Sequence, residues 1–105
     1  MDKAKKDRLA AAGWRSGDAA DFLELTEEEA AFVELRLALA DYLRELRLRN
    51  SWTQSQVARR LGSSQSRVAK MEAADVSVSL DLLIKSLLTL GASRCEVGRV
   101  IAKAA

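Results

Sequence analysis

Apolar residues recur at three- and four-residue steps along most of this chain, the period of an α-helix with one buried face. Phe32, Leu35, Leu39, Tyr42, Leu43 and Leu46 form the longest such stripe and predict a helix from Thr26 to about Arg49. Thr26 with Glu29 three residues on is a capping-box pattern, and Glu27 to Glu29 suit the positive helix start. Arg44, Arg47 and Arg49 crowd the last turns, where cations complement the macrodipole. Ala31, Leu37, Ala38, Ala40 and Leu48 widen the apolar surface, which points to burial on more than one side, part of it against a second subunit. Asn50 and Ser51 end the helix.

Short periodic segments follow in quick succession. Thr53 with Gln56 caps a helix that ends at Leu61 before Gly62. Ser64 caps the next, which runs to about Ala73. Ser79 caps LDLLIKSLLTL, which stops before Gly91. Ser93 and Glu96 open a final helix carrying Val97, Val100 and Ile101. Ahead of the long helix, a short one from Lys3 to Ala12 is stopped by Gly13, and Asp18 caps a brief helix through Leu25. Trp14 and Phe22 are expected to staple this leader to the body. Caps and glycine stops fall at every junction, no strand-like alternation interrupts them, and the fold class is all-α. The division expected is an N-terminal helical extension, residues 1–30, and a domain over residues 31–105.

Composition narrows the function. The chain has 105 residues, no histidine, no proline and one cysteine, so the usual Cys/His zinc sets and histidine-based triads are excluded. Neither a cofactor nor a metal is expected, and no nucleophile–base pair is present, so the chain reads as a non-enzyme. Ser63, Ser64 and Ser66 suit capping and turns, and Cys95 reads as a small buried residue. No apolar run approaches the ~20 residues needed to span a bilayer, and a reducing cytoplasm is the expected location. Charge is uneven. Residues 1–30 carry five basic and eight acidic side chains, a net of −3, whereas residues 44–70 carry seven basic side chains against Glu45 alone, a net of +6. A basic block inside an otherwise acidic chain is the footprint of polyanion binding, although a solvated helical face would look the same.

The segment TQSQVARRLGSSQSRVAKME, Thr53 to Glu72, is the most informative. Val57 and Leu61 lie one turn apart on its first helix, and Val68 and Met71 lie i, i+3 on its second. Ala58 is small where two backbones must approach, and Gly62 supplies a tight connection between helices that cross steeply. With Val68 and Met71 inward, Gln65, Ser66, Ala69 and Lys70 turn outward. A helix start displaying amide, hydroxyl and ammonium groups can hydrogen-bond base edges in a major groove.

Taken with "LRELR" before it and "SLDLLIKSLLTLG" after it, this segment resembles the lambda-repressor-like, or XRE, helix-turn-helix family over roughly Glu34 to Leu90. The resemblance implies a DNA-binding domain of about five helices whose recognition helix begins at Ser64. It implies that Ser64, Gln65, Ser66 and Lys70 read bases, and that Gln54 grips a phosphate and braces Gln65. Arg67 and Arg47 are further expected on the DNA backbone, and Arg47 with Glu72 is expected to tie the first helix to the recognition helix. The sequence departs from the family where Ala73 and Ala74 replace a common Asn-Gly. Alanine accepts left-handed backbone poorly, so the loop Ala73 to Val78 is expected to differ. Trp52 replaces a smaller residue and is expected in the core.

The leader, GDAADFLELTEEEAAFVELRLALADYLREL, resembles the approach to the DNA-binding helices in HigA-like antitoxins. Two functions therefore stand. One is a sequence-specific repressor that binds a palindromic double-stranded operator as a homodimer, with Val97, Val100, Ile101 and the leader at the dimer contact. The other is an antitoxin that neutralises a small toxin by protein contact and regulates its own operon.

Overall fold

The computed structural model describes residues 25–104, and among them five helices and no strand. The helices expected over Lys3 to Ala12 and from Asp18, and the stapling by Trp14 and Phe22, lie outside the described residues. The helices are α1 (Glu27–Arg49), α2 (Gln54–Leu61), α3 (Gln65–Glu72), α4 (Leu80–Thr89) and α5 (Arg94–Ala104). Capping fixes where each begins. Thr26 Oγ1 accepts the Glu29 N–H at 3.1 Å, and Glu29 Oε1 accepts the Thr26 N–H at 3.1 Å. These bonds hold the Glu29 carboxyl below the usual carboxylate range. Thr53 and Gln56 repeat the reciprocal pair at α2, and the hydroxyls of Ser64, Ser79 and Ser93 cap α3, α4 and α5. Because α1 runs unbroken through residues 30 and 31, the expected division at that point falls inside one helix.

Four helix ends close in the same way, with a left-handed residue that lets two backbone N–H groups reach back to the last turn. Gly62 (φ 64°) and Gly91 (φ 103°) do this after α2 and α4, as the sequence predicts. Ser51 (φ 57°) and Ala74 (φ 53°) do it after α1 and α3 without glycine's freedom. Ala74 N–H bonds Met71 O and Asp75 N–H bonds Lys70 O, at 3.1 and 3.0 Å. The alanine pair therefore keeps the left-handed turn that was expected to differ. Burial of the Ala74 side chain in the core helps offset the strain.

Leu39 and Leu43 of α1, Val57 of α2, Val68 and Met71 of α3, and Leu83 and Leu87 of α4 meet in one fully buried core, joined by Val78 from the loop before α4. Each such side chain contributes about 1.5–3 kcal/mol by leaving water. α5 lies along α1 and closes the core with Val97. Several expectations are corrected. Phe32, at 46% exposed, leaves the core stripe, and the buried part of α1 begins only at Leu39. Cys95 is exposed, since α5 turns Val97 inward instead. Val97 is only 5% exposed and has no surface to offer a second subunit; Val100 and Ile101 are half-buried against the same core. Trp52 packs on the edge of the core with one face covered by Arg60, whose guanidinium lies 4.3 Å from the ring centroid.

Candidate functional site

α2 and α3 pack on each other through Val57, Ala58, Val68 and Met71, and Gly62 and Ser63 connect them. Ser63 N–H reaches Ala58 O at 2.8 Å, which holds the turn tight. Ser64 then starts α3 as its N-cap, accepting the Arg67 N–H on its hydroxyl oxygen at 3.1 Å. Its own O–H still has a hydrogen to donate. With Val68 and Met71 fully buried, helix periodicity sends Ser66 and Lys70 to the opposite side, Gln65 to one flank and Arg67 to the other. All four are exposed, and half-buried Ala69 lies between them. The structure thus brings Ser64, Gln65, Ser66, Arg67 and Lys70 onto one open helix surface bearing two cations.

Behind Gln65 runs a polar relay. Arg47 of α1 grips Glu72 with two parallel bonds, Nε to Oε2 at 2.5 Å and Nη2 to Oε1 at 3.0 Å. Gln54 Nε2 donates to the same Glu72 Oε1 at 3.2 Å, and Gln65 Nε2 donates to Gln54 Oε1 at 2.7 Å. The Arg47 and Glu72 side chains are 13% and 6% exposed, so the pair sits largely out of water. There a bidentate arginine–carboxylate geometry is the arrangement that offsets desolvation. The bond to Glu72 pushes the Arg47 guanidinium further up. Arg47 Nη1 also donates to Trp52 O at 3.1 Å. Three of the five guanidinium N–H groups are thereby engaged inside the domain. These bonds tie α1 to the end of α3 and to the turn before α2.

The relay leaves Gln65 half-satisfied. One Nε2 hydrogen is engaged by Gln54; the other, and both lone pairs on Oε1, face solvent. One free donor beside one free acceptor is the pattern that matches adenine N7 and N6 in a major groove. Gln54 likewise keeps one amide hydrogen, at the start of α2, where the helix dipole favours an anion.

Two features of the site were not visible in the spacing of residues. Arg36 Nη2 donates to Asp75 O at 2.6 Å, so the middle of α1 fastens the loop leaving α3. That contact joins residues 39 apart, with no local pattern to announce it. Tyr42 donates its hydroxyl to Glu96 Oε2 at 2.6 Å and ties α1 to α5. The bond lowers the Glu96 carboxyl and raises the Tyr42 phenol. Among the described residues no cluster of three metal-binding side chains occurs, and no helix is long and apolar enough to cross a membrane.

A family model described as a helix-turn-helix domain matches residues 38–100, from the middle of α1 into α5. No curated protein and no solved structure matches the chain.

Proposed function

The chain belongs to the helix-turn-helix domain family, and from that premise we propose that it is a sequence-specific DNA-binding transcriptional repressor whose α3 reads the major groove. The observation that carries this reading is the open face of α3, where Gln65 is held from behind by Gln54 while its remaining donor and acceptor face outward. Holding that amide in place before DNA arrives reduces the ordering cost of a bidentate base contact. Ser64, Ser66 and Lys70 are the other candidate base readers. Gln54 and Arg67 on either side suit phosphate oxygens, which fix register without reading sequence. One α3 covers only a few base pairs, so two copies on a palindrome are the natural arrangement. No catalysis is assigned.

Sequencing the fragments that the protein retains from sheared genomic DNA tests this. A small set of sites sharing an inverted repeat is the expected result. Retention that is even across the genome contradicts sequence-specific regulation.

A second reading has its own observation. At the start of α1, Leu25, Phe32 and Val33 line an apolar groove rimmed by Glu28 and Glu29. An acidic rim around an exposed aromatic ring suits a basic protein partner, as an antitoxin requires. Co-purification with the product of an adjacent small reading frame, abolished by Phe32→Asp, supports that role. Unchanged co-purification of the variant contradicts it.

A further inference from the structure

We propose that the concavity between α1 and α5, remote in sequence from the recognition helix, is a phosphate-binding site. Tyr42 and Arg49 line it from α1, and Glu96, Arg99, Val100 and Lys103 line it from α5, around about 360 Å³ of space. Residues 96, 99, 100 and 103 recur at three- and four-residue steps, so α5 presents them along one stripe. Arg49 stands seven residues from Tyr42, two turns along α1 on the same side. Three cations therefore converge on a space that holds one carboxylate, with Glu45 the nearest further acid on α1.

That carboxylate is already committed. Glu96 accepts the Tyr42 hydroxyl at 2.6 Å and the Ser93 hydroxyl at 3.2 Å. Arg49 donates to the Tyr42 oxygen at 3.5 Å and lies 5.9 Å from the Tyr42 ring centroid, and among the described residues Arg99 has only a long contact to Cys95 Sγ at 4.0 Å. Among the described residues, none of Arg49, Arg99 and Lys103 makes an ion pair. Two guanidinium forks and an ammonium group, all exposed and none in an ion pair, with Glu45 and Glu96 acting on Arg49 only at longer range, match a tetrahedral dianion or a pair of diester oxygens. A simple carboxylate ligand would leave one or two of them unused. The phosphate belongs either to a DNA backbone flanking the bases that α3 reads or to a free phosphorylated compound. The site itself does not rest on the DNA-binding reading.

The test follows the backbone amides of isotope-labelled full-length protein during titration with inorganic pyrophosphate, against sodium chloride at matched ionic strength. Saturable shifts at Tyr42, Arg49 and residues 96–103 are expected, and their loss in the double variant Arg99→Ala, Lys103→Ala. Both residues are exposed, so the variant should keep the wild-type melting temperature, and Arg99→Lys should retain weakened binding. Absence of saturable shifts in those residues, or identical shifts in the double variant, overturns the site. A second arm assigns the source. If DNA supplies the phosphates, the slope of log affinity against log salt falls by about two in the double variant. An unchanged slope alongside saturable pyrophosphate shifts assigns the site to a free phosphorylated compound.

Discussion

Gln65 works through the side chains behind it. Its amide is oriented by Gln54, Gln54 by Glu72, and Glu72 by Arg47, so the group proposed to read a base is the last link of a relay that begins on α1. Gln65→Ala removes the amide proposed to read a base without touching the core, and discrimination at one base position should fall by about 1–3 kcal/mol at unchanged stability. Competition binding with duplexes altered one position at a time measures this; an unchanged preference would take Gln65 out of the reading set. Arg47→Ala acts at the other end. It leaves Glu72 nearly buried with only Gln54 as donor, and such losses cost roughly 3–5 kcal/mol. Denaturant unfolding should show a drop of that order, together with weaker DNA binding. Wild-type stability in this variant would mean the pair contributes nothing net.

At the level of the elements, the helix ends divide into those the sequence announces and those it does not. Gly62 and Gly91 supply left-handed turns from glycine, whereas Ser51 and Ala74 adopt the same turn against their intrinsic preference. A left-handed non-glycine residue costs about 1–2 kcal/mol. Ser51 is exposed and loses nothing by truncation, so Ser51→Gly should stabilise by about 0.5–1 kcal/mol after glycine's larger unfolded-state entropy is subtracted. Ala74→Gly relieves the same strain but removes a buried methyl worth about 0.8 kcal/mol, and its net effect should be near zero. Thermal melts of the two variants compare them directly. Equal effects would show that burial of the Ala74 methyl does not offset its strain.

The link between α1 and α5 carries a pH signature. The Glu96 carboxyl is held down chiefly by the Tyr42 hydroxyl. A carboxyl lowered on folding contributes stability above its unfolded value, near 4.5, and that contribution disappears as pH falls through the lower folded value. Tyr42→Phe removes the cause, so the variant should lose less stability than wild type between about pH 5 and pH 3. Melting temperatures recorded across that range decide it, and parallel curves for the two proteins would show that the bond does not perturb Glu96.

Across the whole molecule, what was legible follows from the range of each interaction. Caps such as Thr26–Glu29 and Ser64–Arg67 act over three residues, and the core stripes over one or two turns, so both are written locally. Tyr42–Glu96 and Arg36–Asp75 join residues 54 and 39 apart and depend on how helices cross. Burial also depends on crossing. Phe32 has the right spacing for the core but is exposed, burial along α1 beginning at Leu39, and Cys95 lies on the solvent side of a helix whose Val97 took the inward place. Placement of Gln54 beside Gln65 was implied only by the family resemblance, because periodicity puts Gln65 outward and says nothing of what stands beside it, and the Gln54–Glu72 bond that joins them to Arg47 was not foreseen at all.

Of the three α5 residues expected, with the leader, at a dimer contact, Val97 is taken by the core of its own chain. The described surface that remains includes half-buried Val100 and Ile101 on α5 and exposed Leu88 on α4. Two copies of α3 reading half-sites on one face of a duplex would stand about 34–36 Å apart. Selection of bound duplexes from a random pool tests base reading by α3 directly. Enrichment of an inverted repeat with half-sites about one helical turn apart, and with adenine preferred at one position in each half, is the result predicted for α3 reading DNA through Gln65; recovery of the pool without enrichment would contradict it.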